Sequence, residues 1–271
     1  RWKKNWEKNK LYNKVINKIQ TKKFTRIELC KKFNWDIDTK IVTIFLPHMI
    51  DGNYNQGVKN LYIDNYSWTI NTINLLKDFN HINWIIREHP EEKRYNTISK
   101  FPNFLEIIEK NNSHIRKCPK DLNAFSLTKI TDVALTCHGT AGLEYQSFGI
   151  PVIIAEKSLY NHFGFKKSPK NQKEYMKILK NVHKVKKPND SNIIKAKTFL
   201  LTNYEISKTI CTFIPENLPI FESRMNTLDT DKFWTLLGNK INKFDHKTDP
   251  FFLMFKKQIL LKNRHTINFD S

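Results

Sequence analysis

Glycine is scarce in this chain, with seven residues in 271. That scarcity makes placement informative, because three of the seven, Gly139, Gly142 and Gly149, fall in one stretch, "DVALTCHGTAGLEYQSFGIPVII" (Asp132 to Ile154). Neither G-x-G-x-x-G nor the Walker pattern G-x-x-x-x-G-K-[ST] occurs, which disfavours a nicotinamide-dinucleotide site and a P-loop. Cysteine is also sparse. Cys30, Cys118, Cys137 and Cys211 are far apart and lack C-x-x-C spacing, so neither a disulfide framework nor a zinc module is expected, and a reducing cytoplasm fits best. The histidines show no H-x-x-x-H or H-x-H spacing, so no protein-bound metal is expected either. No apolar run approaches the roughly 18 residues of a membrane span, and the opening "RWKKNWEKNK" has no apolar signal core. Acidic residues are outnumbered, 26 against 46 Lys and Arg, for a net charge of +20. The excess favours anionic partners: nucleic acid, phosphorylated small molecules or an acidic membrane surface. A Lys-, Asn- and Ile-rich texture of this kind also arises from an AT-biased genome.

At 39% hydrophobic the chain can bury a large core. Residues 1–35 read as a basic helical connector or the remnant of an N-terminal domain. Beyond Asp38 short apolar runs alternate with helical patterns. The strands are "KIVTIFLPH", "INWIIREHP", "HIRKCP", "DVALTC" and "IPVIIAE"; the helices are "YSWTINTINLLKDF", "PNFLEIIEKN", "DLNAFSLTKI" with Asp121 as N-cap, "TAGLEYQSFG" ending on Gly149, "NQKEYMKILKNV" and "SNIIKAKTFLLTNYEI". Repeated β-α-β units with short connections imply an α/β fold, a doubly wound parallel sheet over residues 36–215. Residues 216–271 form a C-terminal helical extension in which "DKFWTLLGNKI" and "DPFFLMFKKQILL" read as helices.

In such a sheet ligands bind beyond the carboxyl ends of the strands, so the residues that follow each strand are the candidates. Gly139 and Gly142 flank the first turn of a helix, where free amides and the positive end of the macrodipole suit a phosphate; His138 and Ala141 belong to the same turn. Thr140 can cap that helix or donate its hydroxyl to the phosphate, and Glu144 can bond a ribose hydroxyl or complete a cap. Tight strand-helix packing without a ligand is the plainer reading of the same glycines. In "REHP", Arg87 can grip a phosphate in bidentate fashion, and His89, fixed by Pro90, can donate to a phosphate oxygen or a leaving group. Asp51, in "PHMIDGN", is a candidate base or an ordinary Asp-Gly turn. His48, Tyr160 and His162 can cover a sugar or base, or pack their loops. Cys137 reads as a buried, inert thiol.

Taken in order, "FLPHMIDGNYNQGVKNLYIDNYSWTINTI", "INWIIREHP", "DVALTCHGTAGLEYQSFGIPVIIAE" and "PKNQKEYMKIL" resemble the capsular polysaccharide biosynthesis glycosyltransferases, the group that includes bacterial Kdo transferases. The resemblance covers about Asp38 to Glu205. It implies a GT-B architecture, two Rossmann-like domains around a cleft, with this chain supplying the donor-binding, C-terminal-type domain. It also implies that His89-Pro90 and the His138-Gly139-Thr140 turn contact the nucleotide phosphate of the donor. His138 stands where such proteins often carry serine. Bacterial sialyltransferases share the His-Pro and hydroxyl-turn arrangement, which suggests a CMP-linked donor such as CMP-Kdo.

The expected function is therefore transfer of a sugar from a nucleotide-sugar to a glycan or glycolipid acceptor in capsular or surface polysaccharide synthesis. It would need no cofactor or metal, with His89 and Asp51 as catalytic residues. The expected location is cytoplasmic, with peripheral contact to the inner membrane face or to capsule-assembly proteins. The alternatives are a polyol-phosphate transferase or nucleotide-sugar epimerase of related GT-B fold, and a non-catalytic basic module that binds acidic glycan or, less favoured, nucleic acid.

Overall fold

A computed structural model describes residues 24–49, 61–89, 101–122, 124–160, 169–203 and 230–261. The chain divides into two compact units, Arg1–Lys197 and Thr198–Ser271. The first is an α/β domain built on five parallel strands: β1 (Ile41–Phe45), β2 (Asn83–Arg87), β3 (Ile115–Lys117), β4 (Val133–Thr136) and β5 (Val152–Ile154). Their order across the sheet is β3-β2-β1-β4-β5. Successive residues of a strand point to opposite faces, and four consecutive residues are buried in each of β1, β2 and β4. Both faces of the sheet are therefore covered, as the unbroken Ile-, Val- and Leu-rich runs require. This is the expected doubly wound, Rossmann-like sheet.

Helices α1 (Arg26–Phe33), α2 (Asn65–Leu76), α3 (Phe101–Asn111), α4 (Ala124–Ile130), α5 (Ala141–Ser147), α6 (Gln172–Lys180) and α7 (Asp190–Leu201) connect and flank the strands, and a 3-10 turn spans Val182–Lys184. Their ends are set locally. Thr25 and Glu28 form a capping box at α1, which closes on Asn34 in the left-handed conformation (φ 54°). The Asp64 carboxylate accepts from the Ser67 amide at 2.6 Å to start α2, and Asn171 does the same for α6. Asp121 does not cap α4: that helix starts at Ala124, and Asp121 lies ahead of it in a turn closed by the Leu122 amide and the Pro119 carbonyl. Gly149 ends α5 with φ 79°, a conformation that side chains disfavour.

The core is centred on Trp68, Trp84, Ile44, Ile86, Leu135 and Tyr175, all fully buried. At the amino ends of the strands, α1 is tied to the sheet by one guanidinium. Arg26 donates to the Asp132 carboxylate at 2.9 Å, to the Ile130 carbonyl at 2.9 Å and to the Thr39 carbonyl at 2.8 Å. The same Asp132 oxygen accepts from the Ile41 amide at 2.8 Å, which joins the starts of β1 and β4. The opposite, carboxyl end of the sheet is left to the site. In the second unit, α8 (Thr230–Asn242) and α9 (Pro250–Leu260) are the described helices besides the end of α7.

Candidate functional site

The chain leaves β1 outward to β2 and β3 and returns to β4, so the direction of winding reverses between β1 and β4. A crevice opens at such a reversal, beyond the carboxyl ends of the strands. Strand order then decides which candidates meet. His89 follows β2, His48 follows β1 and the His138–Gly142 turn follows β4, on three adjacent strands.

His48 and His89 come together, with ring centroids 5.5 Å apart and planes at 78°. His48 is buried, and its carbonyl accepts from the Asn65 side chain at 2.8 Å, so the first residue of α2 fixes the loop that carries it. Arg87 is half-buried at the end of β2, and its Nη1 lies 3.6 Å from the Cys118 Sγ. Its neighbour Glu88 is paired with Lys117 at 2.8 Å. The Arg87 charge reaches Glu144 in α5: burial raises the Glu144 carboxyl above its ordinary range, while a hydrogen bond with the Thr140 side chain and the Arg87 charge pull it back down.

The turn itself is more committed than its sequence suggests. The Gly139 amide donates to Thr136 Oγ1 at 3.2 Å, and the Gly139 carbonyl accepts from the Gly142 amide at 3.0 Å and from the Tyr160 hydroxyl at 2.6 Å. A side chain at position 142 would overlap that hydroxyl, so Gly142 is required by Tyr160 whether or not a ligand binds. Thr140 is exposed and already helical (φ −59°, ψ −22°), and it makes no side-chain cap. Its side chain bonds Glu144 instead. The amides of Thr140 and Ala141 have no acceptor among the described residues. Within the turn they are the donors left for a ligand or a further acceptor.

Tyr160 is buried, with its phenol pushed well up by burial, and it serves the packing of the turn. Asp51, Pro90 and His162 lie outside the described residues. Cys137 is fully buried, and burial together with the nearby Glu156 charge raises its thiol well above the ordinary value, which removes it as a nucleophile. Among the described residues no group of three or more His, Cys, Asp and Glu side chains could hold a metal ion.

One rim residue gains a property that the sequence did not announce. Glu156, just beyond β5, is 2% exposed, and burial pushes its carboxyl up to about 7 even though the Leu61 and Tyr62 amides bond to it. Its own amide donates to the Cys137 carbonyl at 2.9 Å, which extends the pairing of β4 and β5 into the rim. Its place after a strand was a sequence signal; its burial depends on the 61–62 segment folding over it.

No protein-family model matches this chain, and no curated protein matches it in sequence. Among solved structures, the chain is similar to the wall teichoic acid polymerase TagF, with 11% identity and a TM-score of 0.36 over 89% of this chain and 48% of that one. This chain thus spans about half the length of that protein. No helix among the described residues is long and apolar enough to cross a membrane.

Proposed function

We propose that the first unit is the donor-binding domain of a glycosyltransferase and that the donor phosphates lie in the crevice between β1 and β4. The observation that carries this reading is the meeting of the two strand-end histidines, His48 and His89, at 5.5 Å on strands next to the turn whose Thr140 and Ala141 amides have no acceptor among the described residues. A leaving nucleotide phosphate gains negative charge as the bond to the sugar breaks. Arg87, His89 and the Thr140 and Ala141 amides are the groups that would meet that charge as fixed donors. Glu144, held by Thr140, would bond a ribose hydroxyl of the donor. The family resemblance read from the sequence makes a CMP-linked sugar such as CMP-Kdo the first donor to try and a surface glycan or glycolipid the acceptor; Asp51 is the candidate base.

Thermal-shift titration with CMP, CDP, UDP and GDP tests the donor site. Stabilisation by one of the four, lost in His89→Ala, is expected. Indifference to all four would refute a nucleotide-sugar site in this crevice.

A further inference from the structure

Helix α9 is capped and built like a helix that belongs inside a protein, yet none of its residues is buried. The Asp249 carboxylate accepts from the Phe251 amide at 3.0 Å and the Phe252 amide at 3.2 Å, and Pro250 occupies the first turn, so its start is well defined. Phe251, Met254 and Gln258 recur at helical spacing and are half-covered, so they mark the more sheltered side of the helix. Most of the remaining circumference is apolar and exposed: Phe252, whose ring meets Phe244, is 39% exposed, Phe255 51%, Ile259 64% and Leu260 71%. Phe252, Phe255 and Ile259 share one ridge, and the exposed Lys256 and Lys257 lie among the apolar side chains.

We propose that α9 is an interfacial helix that lays this face on a membrane rich in acidic lipids. The length excludes a span: eleven residues rise about 16 Å, half of the hydrocarbon thickness of about 30 Å. The charge selects the partner. Lys240, Lys243, Lys247, Lys256 and Lys257 are exposed in this unit, whereas of the acids whose side chains are described there, Asp245 and Asp249, the second is buried in the cap of α9. An acidic lipid surface attracts such a patch, and lysine stems can lie along the acyl boundary while their ammonium groups reach the headgroups. A second copy of the chain would bring the same basic patch against itself and be repelled. This proposal stands independently of the assignment of the crevice.

The test uses the full chain and sedimentation with vesicles of phosphatidylcholine alone or mixed with phosphatidylglycerol. The chain should bind the mixed vesicles, fail to bind the neutral ones and dissociate as salt rises. The pair F255E/I259E should weaken binding at least about tenfold, and so should K256E/K257E. Because these side chains are exposed, circular dichroism should match the parent chain. Unchanged vesicle binding by both pairs would overturn the proposal. So would a concentration-dependent oligomer that F255E dissolves in the absence of lipid, which would assign the face to a second copy.

Discussion

The hydroxyl of Tyr160 donates to the Gly139 carbonyl at 2.6 Å and occupies the space that a side chain at Gly142 would need. Two of the glycines that mark this stretch are therefore held to their turn by a tyrosine from beyond the next strand. Gly142→Ala should destabilise the domain by about 1 to 3 kcal/mol, the usual cost of overpacking. Adding Tyr160→Phe removes the clashing oxygen and should recover part of that loss. Urea melts of the two single variants and the double variant read the coupling; strict additivity would break the link between the two residues.

Glu156 makes stability depend on pH in an unusual direction. Its carboxyl is raised from 4.5 to about 7 in the folded chain, so between those values the native state holds a proton that the unfolded state has released. Stability contributed by this group is present at low pH and falls as pH rises through that window, by up to about 3 kcal/mol. In Glu156→Gln the melting temperature should fall less between pH 5 and pH 8 than it does in the parent chain. Parallel curves for the two proteins would mean that Glu156 is already ionised at pH 5.

The sheet was legible because a parallel strand buried on both faces is written as a continuous apolar run, and "KIVTIF", "NWII" and "DVALT" are such runs. The rim was legible for the same reason: once the strands are found, the residues that follow them are fixed by sequence. Long-range partners were not legible. Nothing near "HGTAG" announces that Tyr160 fills the space beside Gly142, and nothing near Glu156 announces that the 61–62 segment covers it. The cap at Asp121 failed because a favourable residue three places before a helix is also a favourable turn residue, and the turn after Pro119 took it. The exposed faces of α9 were illegible for the converse reason. An apolar helix reads as buried until the structure shows that little covers it.

The Arg26–Asp132 pair is a separate test of how the α/β domain is closed at the amino ends of its strands. Both side chains are about a quarter exposed, and each makes further bonds to backbone at the starts of β1 and β4. Removing the guanidinium leaves three carbonyls, those of Ile37, Thr39 and Ile130, and a carboxylate with fewer donors, so Arg26→Ala should cost about 2 to 4 kcal/mol. Arg26→Lys should restore only part of that loss, because one ammonium cannot replace the planar fork. A full recovery by lysine in chemical denaturation would reduce the contact to simple charge pairing.

His48 and His89 should prove unequal despite their proximity. His89 is the group proposed to meet the phosphate, whereas His48 is buried and anchored through its own backbone to Asn65. His89→Ala should abolish acceptor-dependent release of nucleotide and weaken nucleotide binding about tenfold or more, the usual size of a lost charge-assisted contact. His48→Gln keeps a polar side chain of similar reach and should leave nucleotide affinity within a few-fold. If His48→Gln lowers affinity as far as His89→Ala, the two histidines share the ligand directly, and His48 is a ligand contact rather than a packing residue.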